Sequence, residues 1–177
     1  MSRYKHILDN LVVSTEDKTF GLFPFNSIID PKLTDVYSGK IEFDQSAVDG
    51  LKILASKGYG VILFINQFKG RSLSFDHFQS LNAAIEKFIV GLGMQVKGLY
   101  WCPGTDKKDP FVVPNPGMFH RATENQGAKW EDIPVVSSSD NDLTAAEKVK
   151  AVPIKIGNGS GKWSHYNNLL DWANSVK

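Results

Sequence analysis

Gly58-Tyr59-Gly60-Val61-Ile62-Leu63-Phe64-Ile65-Asn66-Gln67 is the stretch on which the reading of this chain turns. Residues 59–65 carry no charge and are mostly β-branched or aromatic, the composition of a strand covered on both faces. Upstream, Val48, Leu51, Leu54 and Ala55 recur at helical spacing within residues 46–57, and Gly58 supplies the stop. Downstream, residues 74–91 hold the longest helical pattern, with Phe75, Phe78, Leu81, Ala84, Ile85, Phe88 and Ile89 in one apolar stripe behind a Ser74 N-cap. A buried strand between two helices, with another apolar run at 96–101, is the signature of βαβ units and a parallel sheet.

Further runs at 19–23, 134–137 and 152–156 bring the expected strands to about five and make the class α/β. Residues 26–40, which include Asp30, Pro31, Ser38 and Gly39, read as a loop or small hairpin. Residues 103–116 form a long loop with Pro110, Pro114 and Pro116, and loops of that length usually serve a function. Residues 116–126, 140–149 and 163–176 read as helices. Ligands of open parallel sheets bind beyond the carboxyl ends of the strands, where the strand order reverses. The residues following Phe23, Ile65, Trp101 and Ser137 therefore mark the candidate site.

Bulk properties narrow the function. A chain of 177 residues, 42% hydrophobic and 22% charged, fits one globular domain over residues 1–177. A net charge of +1 with no basic block leaves no footprint for nucleic acid or an anionic membrane. Cys102 is the only cysteine, so neither an internal disulfide nor a zinc site of several thiolates can form. Residues 1–11 lack the apolar run of a signal peptide, no stretch reaches the length of a membrane span, and a reducing cytoplasm is the expected location. His6, His77, His120 and His165 are dispersed without a metal or triad spacing. Gly157-Asn158-Gly159-Ser160-Gly161-Lys162 fails as a nucleotide loop, since Ile156 and Trp163 stand where that pattern needs glycine and a hydroxyl residue.

Four segments in order carry a resemblance: Gly21-Leu22-Phe23-Pro24-Phe25-Asn26-Ser27-Ile28-Ile29; Gly58 to Gln67 with the Phe68-Lys69-Gly70-Arg71 loop; Tyr100-Trp101-Cys102-Pro103 with Pro114-Asn115-Pro116-Gly117-Met118; and Val135-Val136-Ser137-Ser138-Ser139-Asp140-Asn141-Asp142. Together they resemble the haloacid dehalogenase superfamily, in its branch of histidinol phosphatases and heptose-bisphosphate phosphatases. The resemblance implies a three-layer Rossmann-like fold with little or no cap. It also implies a reaction in which one aspartate attacks phosphorus and a second, two residues on, acts as acid and base, with magnesium held by the first aspartate and the acids of the last motif.

Carried over position by position, the pattern is degenerate here. Pro24 takes the nucleophile's place and Asn26 that of the acid/base. Ile65 stands for the phosphate-binding threonine, Val112 and Val113 for an arginine and a lysine, and Ser138 for the first acid of the last motif. Asp142, with Asp140 beside it, is the surviving carboxylate, a poor magnesium site. The zinc loop of the branch keeps Cys102 and Pro103, but Gly104 replaces its histidine, and Asp109 and Phe111 stand near its other cysteines. Neither magnesium nor zinc is therefore expected, and the loop must be held by its prolines and by Phe111, Val112 and Val113.

The expectation is a catalytically inactive phosphatase-like protein acting as a binding, regulatory or scaffold protein. Its partner would be a small phosphorylated ligand or another protein. Candidate ligand contacts are Asn26, Asn66, Gln67, Lys69, Arg71, Trp101, Asp140 and Asp142. The alternative is an active phosphomonoesterase with a relocated, metal-dependent centre built from Asp140, Asp142, Asn26 or Asp30.

Overall fold

Side chains alternate between the two faces of a strand, and in the central strands both sets are apolar. The computed structural model describes residues 18–66, 73–159 and 161–177. Among these, β1 (Thr19–Leu22), α1 (Gln45–Ser56), β2 (Gly60–Ile65), α2 (Phe75–Gly91), β3 (Gln95–Trp101), α3 (Gly117–Gln126), β4 (Pro134–Ser137), α4 (Asp140–Lys148), β5 (Val152–Ile156), β6 (Ser164–Tyr166) and α5 (Leu169–Ser175) follow in order. The six strands form one sheet in the order β3-β2-β1-β4-β5-β6, every neighbouring pair parallel. The chain runs outward from β1 to β3, then returns to place β4 against β1, so the order reverses between those two strands.

Phe20 and Leu22 of β1 join Val61, Leu63 and Ile65 of β2 in one core layer, closed by Leu51 and Leu54 of α1, Phe78 and Ile85 of α2 and Trp172 of α5. The intervening residues, Ile62 and Phe64, face a second layer with Phe23, Val135, Phe119 of α3, Trp130 and the alanines Ala145 and Ala146 of α4. Helices on both faces make the three-layer arrangement, and they explain why residues 60–65 read as a continuous apolar run. Phe64 is the aromatic hub of the second layer, with ring centroids 4.3 Å from Phe119, 5.3 Å from Phe23 and 5.4 Å from Trp130.

The helices start and stop for local reasons. Asp44 caps α1 by accepting from Ala47 N at 3.0 Å, and Gly58, at φ +85°, turns the chain out of it. Ser74 caps α2 by accepting from His77 N at 3.3 Å. Residues 26–43 close as a small hairpin, with antiparallel bridges between Ile29 and Phe43 and between Asp35 and Lys40.

Two expectations need correction. Residues 163–176 are not one helix: Ser164–Tyr166 pairs with Ile154–Ile156 as a sixth strand, and the helix begins only at Leu169. Its start is set by Asn168, whose side chain accepts from Asp171 N at 2.8 Å, a cap that overrides the helical period further upstream. The stripe of α2 is narrower than its apolar residues suggest, since Ala84 is exposed and Phe75 is 53% exposed. Phe75 begins the helix and leans on Trp101, 5.4 Å away, outside the core layer.

Phe64→Ala is expected to destabilise the protein by about 3 to 5 kcal/mol, because neighbouring rings cannot collapse into the space. Phe75→Ala should cost well under about 1 kcal/mol. Urea denaturation midpoints of the two variants check this contrast.

Candidate functional site

The carboxyl ends of β1 and β4 meet at the reversal of strand order, and the chain leaves both in tight turns. After β1, Pro24–Asn26 forms a single 3-10 turn with Pro24 buried, its carbonyl accepting from Ser27 N at 3.2 Å and Ile28 N at 3.0 Å. Proline suits the first position of such a turn, because its ring fixes φ and the missing N–H is not needed there. This turn aims the Asn26 side chain across the gap toward β4 and α4. Ser138 N donates to Asn26 O at 2.9 Å and ties the two loops together.

Asp142, in the first turn of α4, is the centre of the arrangement and only 1% exposed. Its Oδ2 accepts from Asn26 Nδ2 at 2.7 Å and from Ser137 Oγ at 2.7 Å. Its Oδ1 accepts from Asn66 Nδ2 at 3.1 Å. The three donors come from the ends of β1, β2 and β4. Burial pushes the Asp142 carboxyl up to about 6, against the hydrogen bonds from Ser137, Asn26 and Asn66 and the nearby charge of Lys155, all of which favour the ionised form.

Lys155 stands one strand further on. Its ammonium donates to Ser138 O at 2.6 Å and to Asp140 Oδ1 at 2.5 Å, and the residue is buried while Asp140 is largely exposed. These groups floor a cleft of about 990 Å³ whose walls include Phe25, Asp30, Val113 and Asn168.

The structure thus brings Asn26, Asn66, Val113, Ser138, Asp140 and Asp142 into one cleft, as their order in the sequence suggested. Pro24 is buried and does not line it. Ile65 is wholly buried in the first core layer, because strand alternation turns it away from the residues flanking it. Gln67, Lys69 and Arg71 lie outside the described residues. Trp101 does not reach this cleft: it lines a separate cavity of about 360 Å³ with Cys102, Asp109, Phe111 and Arg121, because β3 is an edge strand two places from the reversal.

Ser137 and Lys155 were missed by the sequence reading. A lysine between Ile154 and Ile156 in a short apolar strand was the available signal, since alternation sends it to the opposite face at the strand's carboxyl end.

The loop at 103–116 is held partly as expected, with Phe111, Val112 and Val113 packed on the second core layer. Polar anchors complete it: Asn115 Nδ2 donates to Lys107 O and Asp109 O, both at 2.9 Å, and Phe111 N donates to Asp109 Oδ1 at 2.8 Å. Burial raises the Cys102 thiol. No cluster of three or more His, Cys, Asp or Glu side chains placed to hold a metal occurs among the described residues.

This fold matches that of solved phosphatases of the haloacid dehalogenase type. It superposes on the D,D-heptose 1,7-bisphosphate phosphatase of B. bronchiseptica, crystallised with magnesium and phosphate, with a TM-score of 0.73 and 16% identity over 89% of this chain and 97% of that one. The corresponding enzyme of Burkholderia thailandensis gives 0.65 at 15% identity, over 89% and 97% of the two chains. By sequence, the chain is similar to the D-glycero-β-D-manno-heptose-1,7-bisphosphate 7-phosphatases of two Neisseria meningitidis strains, at 26% identity over 121 residues. That match covers 67% of this chain and 65% of the length of each relative. No protein-family model matches.

The raised carboxyl of Asp142 has a consequence for stability. Folding keeps a proton on Asp142 that the unfolded chain has already lost, so the contribution is fully present below the ordinary value of 3.8 and is lost as pH rises through about 6. The loss is on the order of 3 kcal/mol. Urea unfolding followed from acid to neutral pH should show stability falling across that window, and Asp142→Asn should flatten the fall. An unchanged slope in the variant would contradict the assignment.

Proposed function

We propose that the chain is a catalytically silent relative of the heptose-bisphosphate phosphatases, retained for binding. The observation that carries the reading is the tip of β1. Pro24 offers no atom that can attack phosphorus, and Asn26 commits its amide to Asp142. The carboxylate at the cleft floor accepts from three donors, which leaves its oxygens poorly placed for attack and its lone pairs poorly placed for a metal.

The cleft remains large enough for a small phosphorylated ligand, and a protein partner is the other occupant this reading admits. The names of the similar proteins support a phosphate ester as the ancestral ligand class, and ancestry alone does not assign present chemistry.

Purified protein given magnesium and p-nitrophenyl phosphate, histidinol phosphate or a heptose bisphosphate is expected to release no phosphate above a heat-killed sample. Magnesium-dependent turnover of any of these would refute the reading.

One observation favours the second reading, an active phosphomonoesterase with a relocated centre. Asp142 is held at about 6, within reach of general acid–base work near neutral pH. Should turnover be found, loss of it in Asp142→Asn would support that reading, and unchanged turnover in the variant would remove its basis.

A further inference from the structure

Magnesium implied by the fold family meets a donor set here that does not fit it. Such an ion wants a near-octahedral shell of oxygens with at least one or two carboxylates. Asp142 presents instead a carboxylate already faced by two amide N–H groups and a hydroxyl. The backbone carbonyl of Asn26 is taken by Ser138 N at 2.9 Å. Hydrogens point at the lone pairs through which a cation would have to be bound.

We infer that the ammonium of Lys155 is the buried resident cation of this cleft, where Lys32 is exposed, and that the cleft binds its ligands without a divalent metal. Lys155 is 7% exposed, and a buried ammonium persists only with partners. Those partners are the Ser138 carbonyl at 2.6 Å and the Asp140 carboxylate at 2.5 Å. Its charge also acts on Asp142 from across the turn. One fixed positive charge thus pairs with Asp140 and acts on Asp142, the two aspartates in the first turn of α4, and a second cation entering there would be repelled by it.

An ammonium has three N–H donors. Two are directed at the protein, and the residue lines the cleft, so the third is available to an oxygen of a ligand. Lys155 therefore gives the cleft the positive charge that a phosphorylated or carboxylated ligand needs, at a position set by the chain itself. The inference builds on the reading of a silent site, yet it concerns the cation alone.

Titration of the full chain with manganese, followed by electron paramagnetic resonance and by paramagnetic broadening of the amide signals of residues 137–142, tests it. Wild-type protein is expected to bind no manganese in the cleft at millimolar concentrations. Lys155→Met leaves the Ser138 carbonyl and Asp140 carboxylate facing an uncharged side chain, and these oxygens should then hold manganese at least about tenfold more tightly than wild type does. Lys155→Arg keeps the charge and should behave as wild type, and the dispersion of the amide signals reports the folding of each variant. Manganese broadening residues 137–142 in wild type, or equal affinity in wild type and Lys155→Met, would overturn the inference. Manganese binding without phosphate release would do so while leaving the silent-site reading intact; turnover would strike that reading instead.

Discussion

A carboxylate withdrawn from water is costly unless its oxygens are satisfied, and the junction of β1, β2 and β4 is organised around that demand. Asp142 draws Asn26, Asn66 and Ser137 inward from three strand ends. Ser137 Oγ in turn accepts from Ser139 N at 3.0 Å, and Ser138 N reaches Asn26 O, so the turn after β4 is locked to the turn after β1. The site is therefore a structural knot as much as a cleft floor. Partial compensation leaves the carboxyl raised to about 6, so burial outweighs its donors.

Around this knot stand three apolar residues. Pro24 and Ile65 are buried, and Val113 packs on the second core layer. On the proposed reading of a silent site, apolar side chains here avoid the desolvation and repulsion that charged groups would store. Lys155 is the charged exception: a buried ammonium kept at the floor, balanced by Asp140.

Much of this was legible in the sequence, for reasons that differ between fold and site. Residues 60–65 have no polar side chain, so the strand could be placed without knowing its neighbours. Residues 164–166 had no such mark. Their strand exists because β5 offers an open edge, a tertiary fact invisible in a short Ser-His-Tyr segment. Pro24, Asn26, Ser138 and Asp142 could be placed near one another because they follow strand ends in order. Lys155 belongs to a strand that was read only as apolar, and its approach to Asp140 depends on β5 lying beside β4. Trp101 lines a separate cavity because it ends a strand at the edge of the sheet.

The most direct test of the account is a crystal structure of the protein soaked with magnesium and phosphate. Asn26 and Asn66 should still contact Asp142, with no metal between them and no carboxylate beside Pro24. A magnesium ion coordinated by Asp142, with phosphate in line with a carboxylate oxygen from any part of the chain, would contradict it.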